Sequence, residues 1–250
     1  MFEFFESLQS CSIDEPSLSD SSQNTQPEML SDVAASDDCR DASILEWFRG
    51  FFEPEELLRK NDFTNNGEFD LRYNCIVEGD VQTDLQYVDL QTHGSCSLMA
   101  QEQFVERYLG KDVAESELEE FAKSLGVYTP DNGTNFAGQD VILDAFGIPH
   151  QRYLDANIET LDKAVASNQD AILNVDAREF YQDSTMPPGT GHAVAVVGRG
   201  VDPATGATSG FYFTDSNFPK TARFVSIDQL NTCWTHQMIT VPATSSPVTA

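Results

Sequence analysis

The sequence predicts an α+β fold with an antiparallel sheet. Three observations carry this. Helical periodicity dominates the stretch from Cys96 to about Ala166. Consecutive short strand patterns dominate from Ala171 to the end, with one short helix, capped by Ser226, before the last of them. Helices first and strands later is the order of a segregated α+β domain, not of an alternating parallel sheet.

The elements follow in order. Phe69, Leu71, Tyr73 and Cys75 alternate with polar residues, which reads as one half-buried strand, and Gly79-Asp80 is a turn. Cys96 to Leu109 reads as a helix with Ala100, Phe104, Val105, Tyr108 and Leu109 on one face and Gly110 as its stop. Ser116 to Glu119 has the form of a capping box, and the helix behind it uses Leu118, Phe121, Ala122 and Leu125 before Gly126. Another helix is expected from about Ala137 to Phe146, stopping at Gly147. Asn157 caps one more, to about Ala166. Strands follow at Ala171–Ala177, His192–Gly198 and Phe211–Ser216, then at ARFVSI. Ser226 caps a short helix, and MITV closes the sheet. Arg178 to Thr190 is expected as a long loop beside His192, either a substrate lip carrying Phe180, Tyr181 and Met186 or a plain connection.

Residues 1–67 are set apart as an acidic arm, and 68–250 as the folded domain. Within the arm, residues 11–43 are rich in Ser, Asp, Gln and Pro. They carry too little apolar surface to offset their ordering entropy. Met1 to Leu8 and Ile44 to Lys60 carry apolar residues that suit short docking helices, and an inhibitory or pro-segment role for the arm stays open.

Charge bounds the partners. Among 250 residues, 41 Asp and Glu face 14 Lys and Arg, for a formal charge of −27. That disfavours nucleic acid and anionic membrane surfaces; it suits solubility or a salt-rich habitat first, and would also steer a basic peptide or partner. The N-terminus has neither the basic flank nor the apolar run of a secretory signal, so cytoplasmic residence is expected, with signal-free export left open. The five cysteines are scattered without a CxxC pair or Cys/His cluster, so no metal or organic cofactor is expected. A Cys11–Cys39 bridge is compatible with the spacing but not demanded by it.

Chemistry concentrates around Cys96. It sits between a Gly94-Ser95 step and a helix start, where a thiol's pKa falls, although small buried cysteines also occur at such places. His192 follows Pro187-Pro188-Gly189-Thr190-Gly191 and opens a strand. Asp215 ends the next one. If the two strands pair, the imidazole and carboxylate fall side by side. Gln91 precedes the cysteine and could donate, with the Cys96 N–H, to an oxyanion. His93 is a rival for tuning the thiol. His150 and His236 lie in strand-like stretches and read as structural. Asp131 to Asn135 reads as a cleft-shaping loop.

LQTHGSCSLMAQEQFVERYLG, AILNVDAREFY, GHAVAVVGRG and FYFTDSN, in this order, resemble the papain-like cysteine peptidases, and most closely C39-like peptidase domains, over roughly Asp89 to Pro242. Ser95 and Ser97 flank the cysteine, where family members often have Asp-Cys-Gly or Cys-Ala-Ile. The resemblance implies a papain-like fold with the nucleophile helix packed on the sheet. It further implies Cys96 as nucleophile, His192 as base, Asp215 as orienter and Gln91 in the oxyanion hole. A peptide or protein is the implied substrate. Classical members work fused to a transporter, whereas this sequence has no membrane span and no Walker motif, so a stand-alone peptidase is expected. The same residues would also serve an amide acyltransferase, or persist in a non-catalytic binding or regulatory module.

Overall fold

The computed structural model describes residues 66–135 and 138–243. The acidic arm through residue 65, the Cys11–Cys39 pairing and Ala137 itself lie outside the described residues, and the helix expected from about Ala137 begins only at Val141.

Among the described residues there are ten strands: β1 (Phe69–Asp70), β2 (Cys75–Glu78), β3 (Tyr128–Thr129), β4 (Gly133–Thr134), β5 (Gln151–Tyr153), β6 (Gln169–Asp176), β7 (Gly191–Val201), β8 (Thr208–Thr214), β9 (Ala222–Ser226) and β10 (Trp234–Pro242). The helices are α1 (Val81–Asp84), α2 (Cys96–Leu109), α3 (Glu115–Ser124), α4 (Val141–Ala145), α5 (Ile158–Ala166), α6 (Ala177–Tyr181) and α7 (Ile227–Cys233). Every strand pairing among the described residues is antiparallel. The main sheet runs β1-β2-β7-β6-β10-β5, with β8 on the other edge of β7 and β9 beyond it. The mixture of helices and antiparallel sheet is the fold class expected from the sequence.

β7 is the centre of the sheet, and its composition explains why. Ala193 and Ala195 face one side, against Leu98, Phe104 and Val105 of α2 and Ile142 of α4. Val194 and Val196 face the other, with Leu161 of α5, Phe180 of α6 and Leu230 of α7. A strand covered on both faces reads as an uninterrupted apolar run, which is what HAVAVVG is. Each buried Leu or Phe in these two layers contributes about 1.5–3 kcal/mol of transfer free energy.

α2 matches its expected limits. It ends at Gly110, whose left-handed conformation (φ 65°) a residue with a Cβ adopts only at a cost. The helix is buried almost all round, so its polar side chains need partners. Gln101 Oε1 accepts from the Ile142 N–H at 2.9 Å, and Thr214 Oγ1 donates to Gln103 Oε1 at 2.6 Å. The Arg107 guanidinium bonds Asp84 of α1 and Asp170 of β6, and donates to the Pro242 carbonyl of β10 at 3.0 Å. One side chain thereby locks α2 to three other elements.

Several expectations are corrected. Phe69 to Cys75 is not one strand. The chain turns at residues 71–74, where Asp70 Oδ1 accepts from the Arg72 N–H at 2.9 Å and Asn74 adopts φ 52°. Leu71 is 85% exposed as a result. Local Asp–Arg bonding overrides the alternating pattern. Ser116 does not cap α3. That helix starts two residues earlier, at Glu115 behind Ala114, and no side chain caps it. The expected loop from Arg178 begins instead as α6, capped by Asp176, whose Oδ1 accepts from the Arg178 N–H at 3.0 Å. α1 and the 3-10 turn Leu85–Tyr87 were not foreseen.

Replacing Arg107 with Leu leaves Asp84 and Asp170 buried without their cation. We expect a loss of about 3–5 kcal/mol in urea unfolding. A loss below about 1 kcal/mol would show that the triad does not hold α2 in place.

Candidate active site

Cys96 is the first residue of α2 and is partly exposed. The turn before it is built by side chains from α3: Glu115 accepts from the Thr92 N–H at 3.0 Å and from the Ser95 hydroxyl. Gly133 of β4 supports the same turn. A Cβ there would lie 2.9 Å from the Gly94 carbonyl oxygen, and its φ is +64°, so glycine is required on both counts. The stretch Asp131–Asn135 thus holds the turn and second strand of the β3–β4 hairpin, against the turn that presents Cys96.

His192 and Asp215 are brought together by strand alternation. His192 shares parity with Val194 and Val196 on β7, and Asp215 continues the parity of Phe211 and Phe213 on β8. Both project toward α6. His192 Nε2 lies 3.0 Å from Asp215 Oδ1, and both side chains are about 6% exposed. Cys96 hydrogen-bonds the same ring and also accepts from the Ala193 backbone N–H. With Nε2 taken by Asp215, the ring nitrogen left for the thiol is Nδ1.

The electrostatics favour a charge pair. Burial alone would raise the Cys96 thiol, but the hydrogen bond and charge of His192, with the Ala193 N–H, outweigh it and lower the pKa. Burial opposes a charged imidazole, yet the Asp215 carboxylate and then Cys96 push His192 up to about 10. Burial likewise opposes the Asp215 charge, which His192 and the hydrogen bonds from Tyr181 and the Asn217 N–H more than offset. The position of Cys96 at the N-terminus of a fourteen-residue helix adds to the stabilisation of a thiolate.

Gln91 is buried and tied to the segment after Asp215. Its N–H donates to the Ser216 carbonyl at 3.0 Å, and the Ser216 hydroxyl donates to its Oε1 at 2.6 Å. Its Nε2 donates to the His93 carbonyl at 3.0 Å, which occupies one of the two amide hydrogens. His93 itself is exposed and pairs with Thr92 and Glu119, 2.9 and 3.3 Å away. His150 and His236 bond backbone carbonyls, Ile148 and Ala156 respectively.

Tyr181 was foreseen only as part of a lip, yet it stands inside the hydrogen-bond network. Its hydroxyl donates to Asp215 Oδ2, lies 2.9 Å from His192 Nε2 and accepts from Asn217 Nδ2 at 3.2 Å. Burial, then the neighbouring Asp215 charge, raises its pKa well above the usual phenol value, so it stays a neutral donor. The signal that could have found it is Asp176-Ala177-Arg178-Glu179, which has the spacing of a capping box. Read that way, α6 follows and carries Tyr181 to the start of β7.

No protein-family model matches the sequence, and neither does any curated protein. Among solved structures, the chain is similar to the peptidase domain of Streptococcus ComA, a bi-functional ABC transporter involved in a quorum-sensing pathway. The identity is 16% over 62% of this chain and 96% of that one, with a TM-score of 0.45. It is similar to a double-glycine-motif protease from an AMS/PCAT transporter in complex with its leader peptide, with 14% identity, 62% and 90% coverage and a TM-score of 0.42. A C39-like peptidase from Bacillus anthracis gives 13%, 65% and 97%, and 0.43.

The Tyr181 network makes an additivity prediction. Tyr181→Phe should cost about 1–3 kcal/mol by stranding a buried carboxylate oxygen. In an Asp215→Asn background the cost should change by at least about 0.5 kcal/mol, read from a urea-unfolding double-mutant cycle. Strictly additive losses would show that the phenol and carboxylate are not coupled.

Proposed function

We propose that this chain is a cysteine peptidase that works through a Cys96 thiolate and a His192 imidazolium held by Asp215. The observation that carries the reading is the bonded series itself. A partly exposed thiol at a helix N-terminus meets a buried imidazole whose far nitrogen is on a carboxylate. That arrangement supplies a nucleophile, a proton carrier and an orienting anion in one line.

The steps follow from the atoms. Cys96 Sγ attacks the scissile carbonyl carbon, and the carbonyl oxygen takes up the electron pair as an oxyanion. The Cys96 N–H points out of the first turn of α2 without an intrahelical acceptor, and Gln91 Nε2 keeps its second hydrogen. These two are the proposed donors to the oxyanion. His192 Nδ1–H protonates the leaving amine as the C–N bond breaks, which leaves a thioester. His192, now neutral, takes a proton from water as the water attacks, and the thioester collapses to a carboxylic acid and free Cys96. Tyr181 acts through Asp215 and His192 as a positioning residue and touches no reacting atom.

The substrate class follows from charge. With a formal charge of −27, the chain attracts cationic peptides over tens of ångströms at low salt. The sequence resemblance to C39-like domains points to peptide bonds rather than other amides.

Two outcomes test this. Incubated with matched basic and acidic peptide libraries and read by mass spectrometry, the full chain should cleave basic peptides with a kcat/KM that falls as salt rises. Cys96→Ala should abolish cleavage. Absence of cleavage, or cleavage that survives in Cys96→Ala, would contradict the reading. Across pH, kcat/KM should rise through a value below the ordinary thiol range, as the Cys96 thiol ionises. It should fall again near pH 10, as His192 loses its proton. A single rise near pH 8.5 would mean an unpaired thiol.

A further inference from the structure

Three carboxylates converge on the flank of α2 away from any described cation. Glu102 and Glu106 lie one turn apart on the helix, so their side chains share a face. Asp89 comes from the loop between the Leu85–Tyr87 turn and Cys96. A carboxylate oxygen from each of the three lies within 4.8 Å of the other two. Glu102 is 1% exposed and Glu106 4%, while Asp89 faces solvent.

Such convergence is costly unless something positive sits there. Among the described residues, none of the three carboxylates takes part in an ion pair. Glu106 Oε1 is anchored by the Val113 N–H at 2.8 Å. Glu102 Oε2 is buried with no hydrogen-bond partner among the described residues, which for an acid in the protein interior is a standing penalty. Two other acidic clusters lack this feature. In the group of His93, Glu115 and Glu119, Glu119 is bonded by Lys123 and Tyr128. In that of Asp140, Asp144 and His150, Asp140 is paired with Arg152.

We propose that Asp89, Glu102 and Glu106 bind a divalent cation of the calcium class, with water completing its shell. The donor set is all carboxylate oxygen, which suits a hard cation and gives zinc neither nitrogen nor sulfur. Calcium binds oxygen at about 2.3–2.6 Å with flexible geometry, so oxygens on one ion can lie nearly 5 Å apart. The bound ion ties the loop holding Asp89 to α2. Gln91 lies two residues further along that loop and Cys96 heads the helix, so the ion stiffens the turn that presents both. The site stands whether or not the chain is a peptidase, because its ligands are separate from Cys96, His192 and Asp215.

The test uses the full chain, stripped with EDTA and held in 0.15 M NaCl so that general screening is constant. Calorimetric titration with CaCl2 should show one saturable site. The melting temperature should rise by about 5–10 °C at free calcium 100-fold above its dissociation constant. MgCl2 should bind more weakly, because this open carboxylate set does not impose tight octahedral geometry. Glu102→Gln keeps the shape and should weaken calcium roughly tenfold or more. Asp89→Asn, at an exposed position, gives the same reading if the buried substitution fails to fold. No saturable heat and no melting shift in the unaltered chain would overturn the proposal. So would isotherms identical in both variants, which would place the ions elsewhere on the acidic surface. Magnesium binding as tight as calcium would overturn the calcium assignment.

Discussion

The structure depends on burying α2. A helix that starts with Cys96 and runs to Leu109 is enclosed by the Leu85–Tyr87 turn, α3, α4 and the β7 face of the sheet, yet it carries Ser97, Gln101, Glu102, Gln103, Glu106 and Arg107 into that enclosure. Leu98, Phe104 and Val105 supply the hydrophobic gain, and the polar residues add direction. Gln101 fixes α4, Gln103 fixes the end of β8, and Arg107 fixes α1, β6 and β10. With so many separate tethers the helix has little freedom to slide or rotate, and its first residue is held against the first residues of β7.

Two of those tethers bear directly on the candidate site. The bond from Thr214 to Gln103 holds the residue before Asp215 to α2, and the bonds between Gln91 and Ser216 hold the residue after it to the loop before Cys96. Asp215 is thus clamped from both sides relative to Cys96, while β7 pairs with β6 at His192 opposite Val175. A buried charge pair costs more in desolvation than it returns unless its geometry is held and its remaining lone pairs are satisfied. Tyr181 and the Asn217 N–H satisfy Asp215, and the Ala193 N–H serves Cys96. These neutral donors allow charges to persist at 6% exposure beside an acidic surface.

Long elements with one dominant period were legible in the sequence. α2 was readable to the residue because its apolar face is regular and Gly110 ends it, and α5 because Asn157 caps it. Strand alternation, with Gly191 and Asp215 at strand ends, was enough to suggest that His192 and Asp215 share a face. The failures are short elements governed by a single polar contact. Asp70 and Arg72 bend what alternation reads as a strand, Asp176 starts α6 where Pro and Gly further on suggest a loop, and α3 begins without any side-chain cap. Tyr181 was read only as part of a lip for the same reason, because its place in the hydrogen-bond network follows from α6. The carboxylates of Glu102 and Glu106 were visible as residues, but their burial was not, because a charged i, i+4 pair ordinarily marks a solvated face.

On the proposed reading, Cys96 is a thiolate because His192 is beside it. The direct measurement is the rate of Cys96 alkylation against pH, followed by mass spectrometry in the unaltered chain and in His192→Ala, with the buried Cys75 and Cys233 as internal controls. The account predicts a Cys96 midpoint below the ordinary thiol range that rises toward about 8.5 when His192 is removed. An ordinary midpoint, or one that His192→Ala leaves unchanged, would contradict it.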